Sequence, residues 1–365
     1  MTNAAPVRTS GAMEFDCLVV GSHLRFDGVW QRPQQIVTRL GAHVPVLFVE
    51  EPFVADAVRD DIVPHGDVSV LRPQRPHYAY GVDDATLARV REWVGTRRAL
   101  VWLYTPMMLG IADALPQAPL VYDCMDELAA FDFAPPELRE RERTLCDRAA
   151  LVFCGGPSLY EARRGLGTKA RLAPSGVEFE HFARAAAPHP LFANLPRPIF
   201  GYVGVIDERI DVPTIEALAE RDAQVALIGP LAKIDAATLP RRPNVHFTGR
   251  MPYASLPSLL AGIDVAIMPF ATNAATRYIS PTKTPEYLAA GKPVVSAPIA
   301  DVIARYGDVV TIARTPEDFA DACLAVACAP DAERRARGIE RARGDGWDAL
   351  VARMWNALER ESYVP

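Results

Sequence analysis

Lysine is scarce in this chain of 365 residues: Lys169, Lys233, Lys283 and Lys292 are the only four among 39 basic residues. Acidic residues outnumber basic ones, 45 to 39, and the formal net charge is −6. Proteins that bind nucleic acid or anionic membranes without sequence specificity are usually basic. The charge balance therefore argues against a nucleic-acid partner and gives no support to a strongly membrane-bound protein.

Paired cysteines and long apolar runs are also missing. The six cysteines show no C-x-x-C spacing, and several stand in apolar runs such as LVFC. We therefore expect isolated buried thiols in a reducing cytosol rather than disulfides or a zinc site. No apolar run approaches the roughly 18 residues of a membrane-spanning helix, and the opening segment lacks the apolar core of a signal peptide. These absences predict a cytoplasmic protein, with peripheral contact at the inner face of the membrane as an open alternative.

Short β-branched runs alternate with helical patterns along the chain. Continuous apolar strands separated by helices are typical of parallel sheets that are covered on both faces. We therefore predict an α/β protein with two Rossmann-like doubly wound domains. The predicted strands are 15–21, 44–50, 99–104, 119–123, 150–155, 198–204, 223–229, 244–249, 264–270 and 292–297. The predicted helices are 33–40, 83–94, 136–149, 157–165, 212–221, 255–261, 316–327 and 331–341.

Closely spaced prolines interrupt this alternation in RAAAPHPLFANLPRP, where we place an inter-domain linker. Near the end of the chain, apolar residues that include two tryptophans recur at helical spacing. We expect an amphipathic helix there that packs back on the N-terminal domain, with a face resting on a membrane as the alternative. The predicted divisions are an N-terminal domain at 1–185 with residues 1–13 disordered, a linker at 186–197, a C-terminal domain at 198–342 and the amphipathic tail at 343–365.

The segment SPTKTPEYLAAGKPVVSAP, residues 280–298, combines a helix start with charge. Ser280 can cap a helix that closes at Gly291, and the N–H groups of such a helix start attract anions. Lys283 would add a positive charge, and Glu286 can accept hydrogen bonds from hydroxyl groups such as those of a ribose. The residue types therefore predict a site for a phosphorylated ligand.

Pro285 limits where this helix can begin. A proline inside a helix costs about 3 kcal/mol because it lacks an N–H and its ring clashes with the preceding turn. The helix can begin at Ser280 and Pro281 with Pro285 still in the first turn, or Thr284 can cap a shorter helix that starts at Pro285. Either start leaves backbone N–H groups pointing out of the helix, directly after a strand.

Five segments, found in the order expected, resemble retaining glycosyltransferases of the GT-B fold, family four in particular. EYLAAGKPVVSAP is similar to the second half of the E-x7-E signature of that family, and APSGVEFEHF resembles the segment that closes its N-terminal domain. GYVGVIDERID resembles the glycine loop that opens the C-terminal domain, and NVHFTGRMPYASLPSLLAGIDVAIMPF resembles the elements beside the base pocket. SHLRFDGVWQRPQQIVTRL is similar to a branch of bacterial surface-polysaccharide enzymes.

The resemblance implies a glycosyltransferase (a hexosyltransferase) in cell-surface polysaccharide synthesis that uses a nucleotide-diphosphate-sugar, with the UDP form favoured. It implies transfer to a glycan or lipid-linked acceptor with retention of configuration, and neither a cofactor nor a metal. The acidic segments DCMD and DD offer no third ligand, which agrees with the absence of a metal. Fixed positive charge near the diphosphate leaving group would stabilise the transition state without one.

The resemblance also implies site residues. The catalytic candidates are Asp126, Arg209 and Lys283. The donor-binding candidates are Gly204, Arg209, Lys233, Arg250, Tyr253, Asn273, Tyr278, Ser280, Pro281, Thr282, Lys283 and Glu286. In the loop after the first strand, the candidates for acceptor or cleft contacts are His23, Asp27, Trp30 and Arg32. For Trp30 an apolar plug beside the helix start, and for Arg32 a role in the helix start alone, are the alternatives.

Three positions depart from the family pattern. Tyr278 stands where the first Glu of E-x7-E is expected, Met125 stands where a histidine precedes Asp126, and Val205 stands where an arginine holds the diphosphate. These departures keep open a sugar-nucleotide-binding protein that has lost catalysis. A nucleotide-sugar 2-epimerase is a further alternative, although no clear set of additional acid and base residues accompanies it.

Overall fold

A computed structural model describes residues 14–131, 134–221, 223–232, 234–273 and 276–360. It divides into two compact units. Unit 1 runs to Pro174 and resumes at Trp347, and unit 2 is Ser175–Gly346. The unit boundary therefore precedes the predicted one at residue 185, and the predicted linker lies within unit 2. The expectation for residues 1–13 lies outside the described residues.

Unit 1 contains a sheet whose described strands follow the order β3-β5-β2-β1-β6-β7-β8-β9. β4 pairs with β5 in antiparallel fashion, whereas the other described strand pairs of this sheet are parallel. The strands are β1 Cys17–Ser22, β2 Val46–Glu50, β3 Phe53–Val54, β4 Arg59–His65, β5 Val68–Arg75, β6 Ala99–Leu103, β7 Leu120–Cys124, β8 Leu151–Cys154 and β9 Ala170–Leu172.

Unit 2 contains a parallel sheet with the described strand order β12-β11-β10-β13-β14-β15. This is the doubly wound order, in which the direction of strand addition reverses between β10 and β13. The strands are β10 Ile199–Val203, β11 Gln224–Ile228, β12 Val245–Phe247, β13 Val265–Met268, β14 Val294–Ser296 and β15 Thr311–Ile312. The predicted class, two α/β domains with parallel sheets, is confirmed.

Helices connect the strands in both units. They are α1 Arg32–Gly41, α2 Asp84–Val94, α3 Gly110–Ala114, α4 Leu138–Arg148, α5 Pro157–Ala162, α6 Phe179–Ala183, α7 Val212–Ala219, α8 Leu256–Gly262, α9 Lys283–Ala289, α10 Ala300–Tyr306, α11 Pro316–Cys328, α12 Ala332–Gly344 and α13 Trp347–Arg360. Good caps start several of them: the Asp211 side chain, for example, accepts from Thr214 N at the start of α7.

Helix α13 packs its apolar face into the core of unit 1. Trp347, Leu350 and Met354 are buried in one cluster with Leu18 of β1. Trp355 is partly buried, and its ring stacks on that of His43 at 4.8 Å between centroids. Core packing thus accounts for the tryptophans that gave this helix its amphipathic pattern.

Candidate functional site

Two loops of unit 2 meet at the switch point between β10 and β13. The first loop, 204–211, follows β10, and the second, 269–282, follows β13. Asp211 N donates to Pro269 O at 2.8 Å, and Ala271 N donates to Arg209 O at 2.8 Å. Because ligands of doubly wound sheets bind outside the carboxyl ends of the strands at this point, the two loops form the candidate site.

Close packing at the start of the first loop requires glycine. A Cβ atom at position 204 would lie 2.6 Å from the Tyr202 hydroxyl oxygen. A Cβ atom at position 229 would lie 1.8 Å from Gly204 O, and Gly204 N donates to Ile228 O at 2.9 Å. Gly204 therefore lets the backbone of the loop lie tight against the end of β11, with no side chain above it.

Arg209 is held by an acidic residue of its own loop. Its guanidinium donates to Asp207 from Nε at 2.9 Å and from Nη2 at 2.5 Å. The Arg209 side chain is 27% exposed and that of Asp207 is 11% exposed. The guanidinium is therefore accessible in part, and any anion that binds it competes with Asp207.

The helix at the second loop starts later than Ser280, the first of the two predicted starts. Helix α9 begins at Lys283, and the residue before it, Thr282, has helical backbone angles and makes no side-chain cap. Ser280 and Pro281 belong to the loop, so the prediction that Ser280 caps the helix is wrong. Pro285 falls in the first turn of α9, where its missing N–H costs least.

Lys283 and Glu286 form an ion pair on the first turn of α9. The Lys283 ammonium lies 2.8 Å from Glu286 Oε2, and the two side chains are 26% and 13% exposed. Burial raises the pKa of Glu286, and the nearby charge of Lys283 opposes that shift. Among the described residues neither side chain makes a further hydrogen bond, so the pair can rearrange when a ligand offers new partners.

Tyr202 lies between the two halves of the site. Its hydroxyl donates to Val205 O at 2.9 Å. Burial raises the pKa of Tyr202, and the charges of Arg209, Asp207 and Glu286 also influence it. Charges from the loop after β10 and from the start of α9 therefore both act on this hydroxyl.

The second loop carries two of the donor-binding candidates, Asn273 and Tyr278. The Asn273 side chain accepts from Thr276 N at 3.0 Å, and the Arg277 guanidinium lies 5.2 Å from the centroid of the Tyr278 ring. Asn273 is thus engaged in its own turn, and Tyr278 is half-buried under Arg277. No contact of either residue with Lys283 is present among the described residues.

Tyr253, which is predicted to border the base pocket, contacts two residues that were not predicted as site residues. The Tyr253 ring stacks on His181 at 4.3 Å between centroids, and its hydroxyl hydrogen-bonds to Glu178. Glu178 also raises the pKa of Glu286 through its charge, although burial is the larger cause. Both new residues lie in APSGVEFEHF, which was assigned only as a closing segment. Arg250 is exposed, and Lys233 lies outside the described residues.

In unit 1, the loop after β1 leaves parts of three candidates accessible. The ring of Trp30 is 40% exposed and meets Phe26 edge to face at 6.0 Å. Asp27 is exposed and bridges Arg72 and His65. His23 is half-buried. Asp27 and Trp30 therefore belong to a polar and aromatic edge of the sheet.

Arg32 does not lie at that edge. It is 2% exposed and forms an ion pair at 2.8 Å with Asp123, which is fully buried. Its Nη1 also donates to Ala173 O at 2.7 Å. The prediction that Arg32 contacts a ligand is wrong in this structure, because its guanidinium is used to join α1, β7 and the end of β9 in the core. The alternative, a role in the helix start, fits the first position of α1.

Asp126 is half-buried in unit 1, and its backbone oxygen accepts from the thiol of Cys124 at 3.7 Å. The other two catalytic candidates, Arg209 and Lys283, lie in unit 2. Among the described residues, no group of three or more His, Cys, Asp or Glu side chains is placed to hold a metal ion. No described helix is both long and apolar enough to cross a membrane.

Comparison with known proteins gives a family match in unit 2. Residues 197–328 match the family described as glycosyl transferases group 1. A protein of Bacillus subtilis (strain 168), described as the teichuronic acid biosynthesis glycosyltransferase TuaH, is 27% identical over 218 residues. That alignment covers 54% of this chain and 55% of the relative, so the chain spans about half the length of the curated relative that it matches.

Solved structures show the fold over almost the whole chain. Sucrose-phosphate synthase from Thermosynechococcus elongatus has a TM-score of 0.72 at 16% identity and covers 94% of this chain and 98% of its own. The Escherichia coli structure titled trehalose-6-phosphate bound with UDP-2-fluoro glucose has a TM-score of 0.72 at 13% identity and covers 96% and 100%. Anabaena Alr3699/HepE in complex with UDP and glucose has a TM-score of 0.69 at 15% identity and covers 94% and 99%. The predicted GT-B fold is confirmed.

Proposed function

We propose that this chain, whose residues 197–328 form a group 1 glycosyl transferase domain of GT-B type, transfers a sugar from a nucleotide-diphosphate-sugar to an acceptor. The observation that supports this most is where the family match falls. It covers the unit whose switch point collects Gly204, Arg209, Lys283 and Glu286. A switch point with two cations beside a loop that opens with a glycine suits a diphosphate.

Each residue of the site has a proposed role in binding the donor. Lys283 and Arg209 contact the diphosphate and stabilise the negative charge that grows on it as the sugar–phosphate bond breaks. Glu286 accepts hydrogen bonds from the ribose hydroxyls, and Tyr253 and Arg250 border the base. In the ligand-free arrangement, Glu286 and Asp207 hold the two cations in place of the diphosphate.

We favour UDP as the nucleotide and a glycan or lipid-linked glycan as the acceptor. Two of the similar structures contain UDP compounds, and the curated relative is named for teichuronic acid biosynthesis. Both facts describe those proteins and serve here as reasons for the choice of substrates. Retention of configuration and reaction without a metal are part of the same proposal, and a cytoplasmic location agrees with a nucleotide-sugar donor.

The proposal is tested first by thermal melting with UDP, GDP, ADP and dTDP. A ligand at about 100 times its dissociation constant stabilises the folded state by roughly 2.7 kcal/mol, which raises the melting temperature by a few degrees. We expect UDP to stand out. The matching UDP-sugars are then tested for release of UDP in the presence of candidate glycan acceptors. A panel in which no nucleotide shifts melting would contradict the donor site.

A second candidate is a protein that binds the nucleotide sugar without transferring it. The departures at Val205 and Tyr278 favour it, together with the contact of Asp207 on Arg209. The two candidates predict the same melting shift and differ in turnover. Transfer of sugar to any acceptor excludes the second candidate, whereas tight UDP-sugar binding with no transfer and no hydrolysis excludes the first.

A further inference from the structure

The segment between β5 and α2 of unit 1, residues 76–82, presents two tyrosine rings to solvent; we term it the tyrosine loop. Tyr78 is 54% exposed and Tyr80 is 43% exposed, and their rings meet edge to face at 5.1 Å between centroids. Residues 76–80 are exposed throughout, so these rings add nothing to the core of the unit. Exposed aromatic surface of this kind is typical of an interaction site.

The tyrosine loop is fixed at its base. The Arg75 guanidinium donates from Nη2 to Asp83 at 2.7 Å, and this contact joins the residue before the loop to the residue after it. Asp60 accepts from the same nitrogen at 2.9 Å. Because Arg75 is itself buried, the loop starts and ends on an anchored side chain.

Gly81 fixes the loop a second time, directly after the two rings. Its φ is +79°, and its N–H donates to the buried carboxylate of Glu51 at 3.1 Å. A Cβ atom at this position would lie 2.3 Å from Met107 O, so the backbone packs tightly against unit 1 here. Aromatic rings that stand on a fixed backbone lose little freedom when a ligand binds, which favours binding.

The tyrosine loop lies at the carboxyl edge of the sheet in unit 1. β1, β2 and β5 are parallel, so the loops that follow them share one edge. Arg25, in the loop after β1, donates to Pro52 O at 3.1 Å in the segment after β2. This edge also carries the acceptor candidates Asp27 and Trp30, and ligands of doubly wound sheets bind at such edges.

The charge of this region restricts the kind of ligand. Residues 50–84 hold eight acidic side chains and only three basic ones. Each of the three basic side chains is paired with a carboxylate: Arg59 with Asp61, Arg72 with Asp27, and Arg75 with Asp60. A net negative region whose cations are paired disfavours phosphate groups and anionic lipid headgroups. The rings therefore suit an uncharged ligand that has both apolar surface and hydroxyl groups.

We propose that the tyrosine loop binds a neutral sugar ring of the acceptor glycan. The C–H face of a sugar ring can lie against the face of a tyrosine ring, and the tyrosine hydroxyls can donate to and accept from sugar hydroxyls. The inference rests on the proposed function only in naming the acceptor as the source of the sugar. Neither Tyr78 nor Tyr80 is among the site residues that the family resemblance implies.

The test measures saccharide binding without UDP, so that the result does not depend on the donor site. The probes are maltotetraose, cellotetraose and chitotetraose, and each is titrated by saturation-transfer NMR. Tyr78→Ala with Tyr80→Ala removes both rings. The control, Leu172→Ala with Leu191→Ala, removes two exposed apolar side chains from other places in the chain.

We expect at least one probe to bind the unaltered chain, and the variant without the rings to lose roughly tenfold or more in affinity. The control should change by less than about twofold. Phenylalanine at both tyrosine positions should keep most of the affinity, whereas leucine at both should lose as much as alanine, because leucine has no flat ring. Failure of all three probes to bind, or equal losses in the ring variant and the control, would overturn the inference.

A membrane-binding surface is the competing explanation, and it predicts a different pattern. Sedimentation with phosphatidylcholine vesicles would then show binding that leucine preserves at both positions, and this result without saccharide binding would overturn the inference. Calorimetric titration with UDP separates the inference from the proposed function. Saccharide binding by a chain that binds no UDP would contradict the donor site and leave the tyrosine loop as a saccharide site.

Discussion

At the switch point of unit 1, charged side chains are sealed in the core: Arg32 and Asp123 are 2% and 0% exposed and pair at 2.8 Å. At the switch point of unit 2, Lys283 and Arg209 are 26% and 27% exposed and are held by carboxylates of their own segments. The strand order around both points is the same, because each sheet extends in both directions from its first strand.

The difference between the two points separates a structural charge pair from a binding site. A buried pair has lost its water, so removal of one partner leaves an unsatisfied charge. A half-exposed pair within one segment can exchange its partner for a ligand at small cost, because water and the ligand both reach it. The same strand order thus supports a buried structural ion pair in unit 1 and, in our proposal, a ligand site in unit 2.

The largest expected effect comes from removing one partner of the Arg32–Asp123 ion pair in unit 1. Asp123→Ala leaves the Arg32 guanidinium buried without its carboxylate, and we expect a loss of about 3–5 kcal/mol in the free energy of unfolding. Urea denaturation measures this loss. The control is Asp113→Ala, which removes the partner of Arg148 in an exposed pair and should cost less than about 1 kcal/mol. Similar losses in the two variants would mean that burial does not distinguish the pairs.

Lys283→Ala should have the opposite effect to Asp123→Ala, because it should weaken UDP binding and leave stability nearly unchanged. It removes a charge-assisted contact with the diphosphate, so we expect UDP affinity to fall by about 1.5–3 kcal/mol. The melting temperature without ligand should stay nearly unchanged, because the lost pair with Glu286 lies near the surface. Calorimetric titration with UDP measures the affinity, and Lys169→Ala in unit 1 serves as the control. If Lys283→Ala unfolds the protein or leaves UDP affinity unchanged, the switch point of unit 2 is not the ligand site that we propose.

A smaller effect is expected at Arg209, where Asp207 competes with the ligand. Arg209→Gln should weaken UDP binding by about 1 kcal/mol, or roughly fivefold. Asp207→Asn should strengthen it, since it removes both a competing acceptor and a negative charge near the diphosphate. Each variant replaces a charged side chain with a neutral amide. We expect the two to shift the affinity for UDP in opposite directions, as measured by the same titration. A loss of affinity in both would indicate that Asp207 positions Arg209 rather than competing for it.

A pH effect is expected from a half-buried lysine of unit 2 that pairs with no carboxylate among the described residues. The Lys292 ammonium donates to Ile263 O at 2.8 Å, and burial lowers its pKa from 10.5 to about 8. Between these two pH values the unfolded chain holds the proton and the folded chain does not, so stability should rise with pH from about 8 to 10.5.

The Lys292 prediction is checked by urea denaturation from pH 7.5 to pH 10.5 in parallel on the unaltered chain and on Lys292→Met. The difference between the two free energies of unfolding isolates the lysine from other titrating groups. A difference that does not vary with pH would show that Lys292 keeps its ordinary pKa.

Strands made of continuous apolar runs could be predicted from the sequence, whereas strands that combine charged and apolar residues could not. The strands that pair around β1 and β10 are continuous apolar runs, and their parallel class followed from that pattern. The hairpin of β4 and β5 was missed because its strands mix charged with apolar residues and each contains a proline. In this hairpin Asp60 pairs opposite Pro73, an arrangement that depends on contacts between strands and not on local preference.

The candidate site shows the same limit. Lys283 and Glu286 were identifiable because their charges stand at a predicted helix start. The burial of Arg32 was not, since its partners Asp123 and Ala173 lie far away in the sequence. Glu178 was likewise missed, because only the folded chain brings it to Tyr253. Residue type and local spacing identify charged candidates, and tertiary contacts decide which of them remain accessible to a ligand.

The most direct test of the central claim is a crystal structure of the protein with UDP. We predict the diphosphate at the switch point of unit 2, within hydrogen-bonding distance of the Lys283 ammonium and the Arg209 guanidinium, with Glu286 turned to the ribose. A structure in which Lys283 still pairs with Glu286 and Arg209 with Asp207, while UDP occupies another place on the protein, would contradict this site.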